Sequence, residues 1–370
     1  MQITFGVEEE YFLVDAATGA LVAGSARVLA AARERLGKAV TTELNLCQIE
    51  ADTPVCTTLE QLRRELGHLR SGLAAAARTE GLEVVALGSH PFSAWEDQHV
   101  DVGNPRYAVM EERYESLARE QIICGCHVHL GFGNRDLEIL VLDRIRPWLP
   151  VLLALSANSP FWQGVDTGYA SYRTQIFTRW PTAGMPPDLG SRGQYEAVVA
   201  QLISAGAIAD STHLYWFARP SARFPTLEFR ICDVCLGVDD ALAIAGLVRG
   251  LAWVCAADAV VGSPKAATSP SLLDAAVWRA ARFGLSDQLI HPVTARPEPA
   301  AVVVEALLDV ARPGLEAHDD WAEITDLLVR ITTDGTGADR QRAAFRAGGP
   351  GRVVEDATHW MAPKAAEGPG

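Results

Sequence analysis

The feature that most restricts the fold is a run of three carboxylates, Glu8-Glu9-Glu10, inside a stretch otherwise rich in strand-forming residues, Ile3 to Val14. That composition predicts a strand, left through a turn over Asp15 to Gly19. Strand side chains alternate, so Glu8 and Glu10 share one face and Glu9 takes the other. Two like charges on one face destabilise each other unless a cation sits between them. A solvated strand edge explains one such segment equally well. The device recurs, however. Gln48, Glu50 and Asp52 share a face of an extended stretch from Thr42 to Val55, which Pro54 interrupts; the plain alternative is an exposed edge strand.

Two further segments carry the same signature. His127 and His129 share a face of a predicted buried strand, Gln121 to Phe132, where two imidazoles need two partners. Glu228 and Arg230 share a face of the predicted strand Thr226 to Val234, with a structural ion pair as the alternative. Hard oxygen ligands on strands suit Mg²⁺ or Mn²⁺. A planar guanidinium beside them suits phosphate.

Between these segments the periodicity predicts helices over 25–36, 58–80, 106–120, 136–157 (broken near Pro147 and Pro150), 194–208, 239–262, 270–284 and 300–332. Strands arising far apart and joined by unequal helical segments favour an α+β layout with a mainly antiparallel sheet. No linker divides the chain. One domain over 1–370 is expected, ordered to about 345 and followed by a flexible Gly/Ala/Pro-rich tail. Residues 158–192 show little periodicity and are a candidate closing loop; within them Arg173 and Arg179 are candidate carboxylate or phosphate clamps. Arg340 and Arg342, after a Gly-rich turn, are candidate nucleotide contacts, weighed against a solvated tail.

A net charge of −14 argues against a broad nucleic-acid footprint. No apolar run reaches the roughly 18 residues of a membrane span, and no secretory leader is evident. Seven scattered cysteines argue against a disulfide framework and for a reduced cytoplasm. A zinc site from Cys124, Cys126, Cys232 and Cys235 with His127 or His129 is a rival, but the usual spacings are missing. Edge strands and apolar helices make a homo-oligomer the expectation.

Taken in order, Gly6-Val7-Glu8-Glu9-Glu10, Gln48-Ile49-Glu50, Gly125 to Gly131 and Thr226-Leu227-Glu228-Phe229-Arg230 resemble the bacterial type 2 glutamate–cysteine ligases, or carboxylate–amine ligases. The segments Tyr172 to Pro186 and Trp278 to Leu285 are similar too. The resemblance implies a glutamine-synthetase-like fold with a curved antiparallel sheet as the floor of the site. It implies Mg²⁺ bound by Glu8, Glu10, Glu50, Glu228 and one imidazole, His127 in preference to His129, with Arg230 on the transferred phosphate of ATP. Asp52, where many relatives have Asn, and Cys47 depart from the pattern. The implied reaction is amide formation between a glutamate-like carboxylate and a cysteine-like amine through an acyl phosphate. The alternatives are a metal- and ATP-dependent phosphotransferase and a non-catalytic nucleotide- or metal-binding module.

Overall fold

Antiparallel pairing gathers the acidic segments into one sheet. The computed structural model describes residues 1–361. Its central strand, β1 (Thr4–Asp15), is long enough to have different neighbours along its length. One edge pairs with β3 (Gln48–Asp52), which in turn carries the edge strand β2 (Val40–Thr42). On the other, β4 (Leu82–Val85) pairs with the far end from Phe12 to Asp15, and β5 (Gly125–Gly131) with the near end from Thr4 to Glu9. Two short strands, β6 (Phe161–Trp162) and β7 (Val165–Asp166), form a separate hairpin. The sheet is completed by β8 (Ala218–Pro220) and β9 (Leu227–Asp233), giving the order β2-β3-β1-β5-β9-β8 with β4 beside β1.

Alternation divides this sheet into a wet face and a dry one. Val7, Tyr11, Ile49, Ala51, Val128 and Phe229 are buried on the dry face. The helices Leu59–Thr79 and Val238–Val261 lie against that side. Their helical signals are local: Thr58 Oγ1 caps the first helix by accepting from Gln61 N–H at 3.2 Å. The second is long and apolar enough to cross a membrane by composition, yet it is a core helix, buried on nearly all sides from Ala241 to Ala252. It packs against the helix Ala300–Ala317 closely enough that a Cβ on Gly314 would fall 2.0 Å from the Gly250 carbonyl oxygen. Helices segregated to one face of an antiparallel sheet make this an α+β fold, as the sequence indicates.

The helix over 136–157 is broken near Pro147 and Pro150 as expected, into Arg135–Ile145 and Leu149–Ser156. Two expectations change. Residues 158–192 are not an open loop: Ser159, Ser171, Arg173 and Thr174 are buried, and Arg173–Phe177 is a short helix. The expected flexible tail after about 345 is helical to Met361. Gly348-Gly349-Pro350 kinks this helix rather than ending it, because Val353, Val354, Ala357 and Met361 have apolar surface to bury against the core. Residues 362–370 lie outside the described part.

Candidate active site

Register places the polar residues of four strands side by side. Across β1 and β3, Glu8 faces Asp52 and Glu10 faces Glu50. Across β1 and β5, Glu8 faces His127, and across β5 and β9, His129 faces Glu228. Directly opposed residues of an antiparallel pair project to the same side. All seven therefore line a cavity of about 340 Å³ on the wet face. Glu9 points the other way, as its position in the alternation requires, and is fully buried.

A bulge in β9 adjusts what that strand presents. Cys126 pairs with Cys232 and Val128 with Phe229, so Arg230 and Ile231 together oppose the single residue His127. The extra residue shifts the alternation, and both Glu228 and Asp233 end on the wet side although an odd number of positions separates them.

Three carboxylate-rich trios lie in this cavity: Glu8, His129 and Glu228; Glu8, Glu50 and Asp52; Glu10, Glu43 and Glu50. Within each trio the potential ligand atoms fall within 4.8 Å of one another. Glu8 and Glu50 are each shared by two trios, so the three positions form a connected chain of oxygen donors. Without a counter-charge this crowding is costly. Burial, followed by the charge of Glu10, pushes the Glu43 carboxyl up to about 7. Burial and then Glu8 push Asp52 up to about 7. Burial and the neighbouring carboxylates Glu8 and Glu43 raise Glu50 well above the usual range.

The other end of the cage is electrically balanced. Burial alone would raise Glu8, but the imidazoles of His127 and His129 win and hold it well below the usual range. His127 Nδ1 lies 3.3 Å from Glu8 Oε2, and His129 Nε2 lies 2.9 Å from Glu8 Oε1. Burial would likewise raise Glu228, but Arg219 and then Arg230 overcome it. Arg219 Nε donates to Glu228 Oε2 at 3.1 Å, and Arg230 donates to Glu228 Oε1. His129 Nδ1 is hydrogen-bonded to Thr226 Oγ1 at 2.8 Å, which fixes the ring and turns Nε2 toward Glu8 and Glu228. His127 belongs to none of the three trios; its Nε2 lies 3.7 Å from Glu10 Oε1. Burial and the charge of Arg230 lower the pKa of His127, whereas burial at His129 is outweighed by Glu8 and its pKa is raised.

The donor set fits a hard divalent cation. Carboxylate oxygens predominate, and the buried atom Asp52 Oδ1 has no hydrogen-bond partner among the described residues. The cysteines do not compete for it. Cys126 and Cys232 pair on the dry face, opposite in direction to His127 and His129, so the zinc set weighed from the sequence cannot converge on one ion.

Arg173 and Arg230 also line the cavity. The Arg173 guanidinium lies over the Phe177 ring, 5.2 Å from its centroid. It crosses β5 at Gly125, where a Cβ would fall 2.3 Å from its Nη2; only glycine leaves that space. The Gly125 N–H donates to Glu10 Oε2 at 2.5 Å. The remaining arginines expected from the sequence lie elsewhere. Arg179 pairs with Glu120. Arg340 pairs with Asp240 at 2.7 Å and covers the Trp360 ring, while Arg342 pairs with Asp166 at 2.8 Å. None of the three lines the cavity. Two residues were not singled out from the sequence. Glu43 sits just past β2, where alternation gives no guide. Arg219 sits in a three-residue strand ending in Pro220, too short for a pattern.

The comparisons with known proteins follow the same lines. The model of glutamate-cysteine ligase family 2 matches residues 4–356. The chain belongs to this family. A relative from Salinispora arenicola, provisionally named glutamate–cysteine ligase 2, is 42% identical over 340 residues, which are 92% of this chain and 89% of that protein. A second, named in the same way and from Rhodopirellula baltica, is 38% identical over 344 residues, 92% of each chain. Among solved structures, glutamate–cysteine ligase from Francisella tularensis in complex with AMP matches with a TM-score of 0.69 at 14% identity, covering 98% of this chain and 89% of that one. A bifunctional glutathione synthetase from Pasteurella multocida matches with a TM-score of 0.72 at 19% identity; the match covers 98% of this chain but only 52% of that larger one. Family membership identifies an ATP-dependent carboxylate–amine ligase that acts on small-molecule substrates. It displaces the phosphotransferase and binding-module alternatives.

Proposed function

We propose that the chain joins the side-chain carboxylate of a glutamate-like substrate to the amine of a cysteine-like one. The observation that carries this is the connected chain of carboxylates with its two arginines, Arg173 and Arg230, at the same cavity. Mg²⁺, with Mn²⁺ as a substitute, would be held by Glu8, Glu10, Glu43, Glu50, Asp52 and Glu228. His129 is the better imidazole donor, because it alone shares a trio with two carboxylates. The bound cations would supply the charge that lets a triphosphate enter an acidic site.

In the first step a carboxylate oxygen of the acceptor attacks the γ-phosphorus of ATP and ADP leaves. In the second the amine nitrogen attacks the acyl carbon, phosphate leaves with the bonding pair, and the nitrogen gives up a proton to form the amide. The chain's own contribution is positioning and electrostatics. Arg230, braced on Glu228, presents positive charge to the transferring phosphate. Arg173, held against the sheet, binds a second anionic group. No nucleophilic Ser or Cys is needed, which agrees with seven cysteines that are all buried.

The test is ADP release with Mg²⁺ and ATP across paired amino acids and amines, with mass spectrometry of the products. Amide formed in step with ADP, dependent on both substrates, is the expected result. ADP formed without any amide would refute the assignment of substrates and bond.

A further inference from the structure

The pair of cysteines Cys232 and Cys235 frames a residue with a different task. Asp233 is fully buried at the end of β9, and four groups converge on its carboxylate. Its Oδ2 accepts from the Asn158 N–H at 2.8 Å and from the Ser159 hydroxyl at 2.7 Å. Its Oδ1 accepts from the Ser171 hydroxyl at 2.8 Å and lies 4.0 Å from Arg173 Nη1. Ser159 Oγ in turn accepts from the Arg173 N–H at 2.9 Å, and Ser171 Oγ shares a hydrogen bond with Thr174 Oγ1 at 2.8 Å. One carboxylate therefore ties both ends of the segment from Asn158 to Thr174, and it does so on either side of the residue that sends a guanidinium into the cavity.

We infer that Asp233 is the positioning residue of Arg173: it fixes the backbone that carries this arginine and directs its guanidinium across Gly125 into the cavity. It touches no substrate itself. The geometry leaves Arg173 few other constraints. Its Nη atoms reach the Ile231 and Arg230 carbonyls only at 3.5 and 3.4 Å, and its buried Nε has no hydrogen-bond partner among the described residues. Arg173 Nη1 lies at the outer limit of an ion pair with Asp233 Oδ1, 4.0 Å away, and makes no direct hydrogen bond to it. The guanidinium is thus aimed by the network yet remains available to an anion.

The inference rests on the role proposed above for Arg173, and a double-mutant cycle separates the two. Asp233→Asn keeps the shape but replaces one accepting oxygen with an amide that cannot accept. Steady-state constants for both substrates and ATP are measured for Asp233→Asn, Arg173→Lys and the double variant, beside thermal unfolding. The expectation is a loss of about 10- to 100-fold in kcat/KM for Asp233→Asn. The KM that rises should be the same one that rises in Arg173→Lys, and the double variant should be no worse than Arg173→Lys alone. Ser171→Ala, which removes one donor to Oδ1 and leaves the buried carboxylate, should move the same KM in the same direction, and serves if Asp233→Asn does not fold. Losses that multiply in the double variant, or a shift in a different KM, would show Asp233 acting independently of Arg173 and overturn the proposal. Unchanged kinetics for Asp233→Asn (for Ser171→Ala if only that variant folds) beside an impaired Arg173→Lys would overturn it alone. Unchanged kinetics for Arg173→Lys would refute the clamp and the proposal together.

Discussion

The Glu9 carboxylate and the Arg70 guanidinium form a fully buried pair on the dry side of β1, with Arg70 Nε donating to Glu9 Oε2 at 2.9 Å. Arg70 also donates to the carbonyls of Cys235 and Leu236, and the Tyr11 hydroxyl donates to Glu9 Oε2 at 2.6 Å. The middle carboxylate of the run thus anchors the strand while its two neighbours face the cavity. Phase is fixed from behind: a one-residue slip of β1 would bring Glu9 into the cage and turn Glu8 and Glu10 to the dry side, where Arg70 can pair with only one of them.

Removing one member of this pair leaves an uncompensated buried charge. Arg70→Met is expected to cost about 3–5 kcal/mol in chemical denaturation. Glu50→Gln should behave in the opposite way in metal-free protein, because it removes a carboxylate whose neighbours repel it. Its stability should equal or exceed that of the wild type.

Metal-free protein should have an unusual pH dependence. Glu43 and Asp52 have folded pKa values pushed up to about 7, and Glu50 is raised well above its ordinary value. Groups raised on folding bind protons more readily when folded, so they favour the folded state at low pH and lose that advantage as pH rises toward 7. Glu8 and Glu228 are depressed instead, and their contribution stays intact until the pH falls below the ordinary Glu range. Between about pH 5 and pH 7 the raised groups decide the sign. The melting temperature in EDTA should fall as pH rises over that window, and saturating Mg²⁺ should flatten or reverse the trend. Melts that are independent of both pH and Mg²⁺ would contradict the crowding of these carboxylates.

Glu43 should matter and Arg342 should not. Glu43→Gln removes an oxygen donor from the trio with Glu10 and Glu50, and the Mg²⁺ concentration for half-maximal turnover should rise by about tenfold. Arg342→Ala breaks an ion pair with the partly exposed Asp166 and should cost at most about 1 kcal/mol. The KM for ATP should be unchanged in that variant.

What the sequence made legible follows from strand geometry. Alternation alone put Glu8 and Glu10, Gln48 and Glu50, His127 and His129, and Glu228 and Arg230 on common faces, and all eight line the cavity. What escaped it depends on contacts that local periodicity does not encode. Glu43 enters from a turn, and Arg219 from a strand of three residues. The β9 bulge that brings Asp233 to the wet side is a property of pairing, with no mark in the sequence of that strand. The last helix was misread because Gly348, Gly349 and Pro350 ordinarily end helices. Here Gly349 takes a left-handed φ of 74°, and the chain turns and resumes its helix against the core.

The central claim is that oxygen atoms from separate strands cage the same cations, with Glu50 common to two positions. Mn²⁺ binding in the presence of ADP, followed by electron paramagnetic resonance on wild type and Glu50→Gln, addresses it directly. The prediction is more than one Mn²⁺ per wild-type chain, with spin coupling between neighbouring ions, and loss of both an ion and the coupling in Glu50→Gln. Equal stoichiometry and unaltered spectra in the two proteins would contradict it.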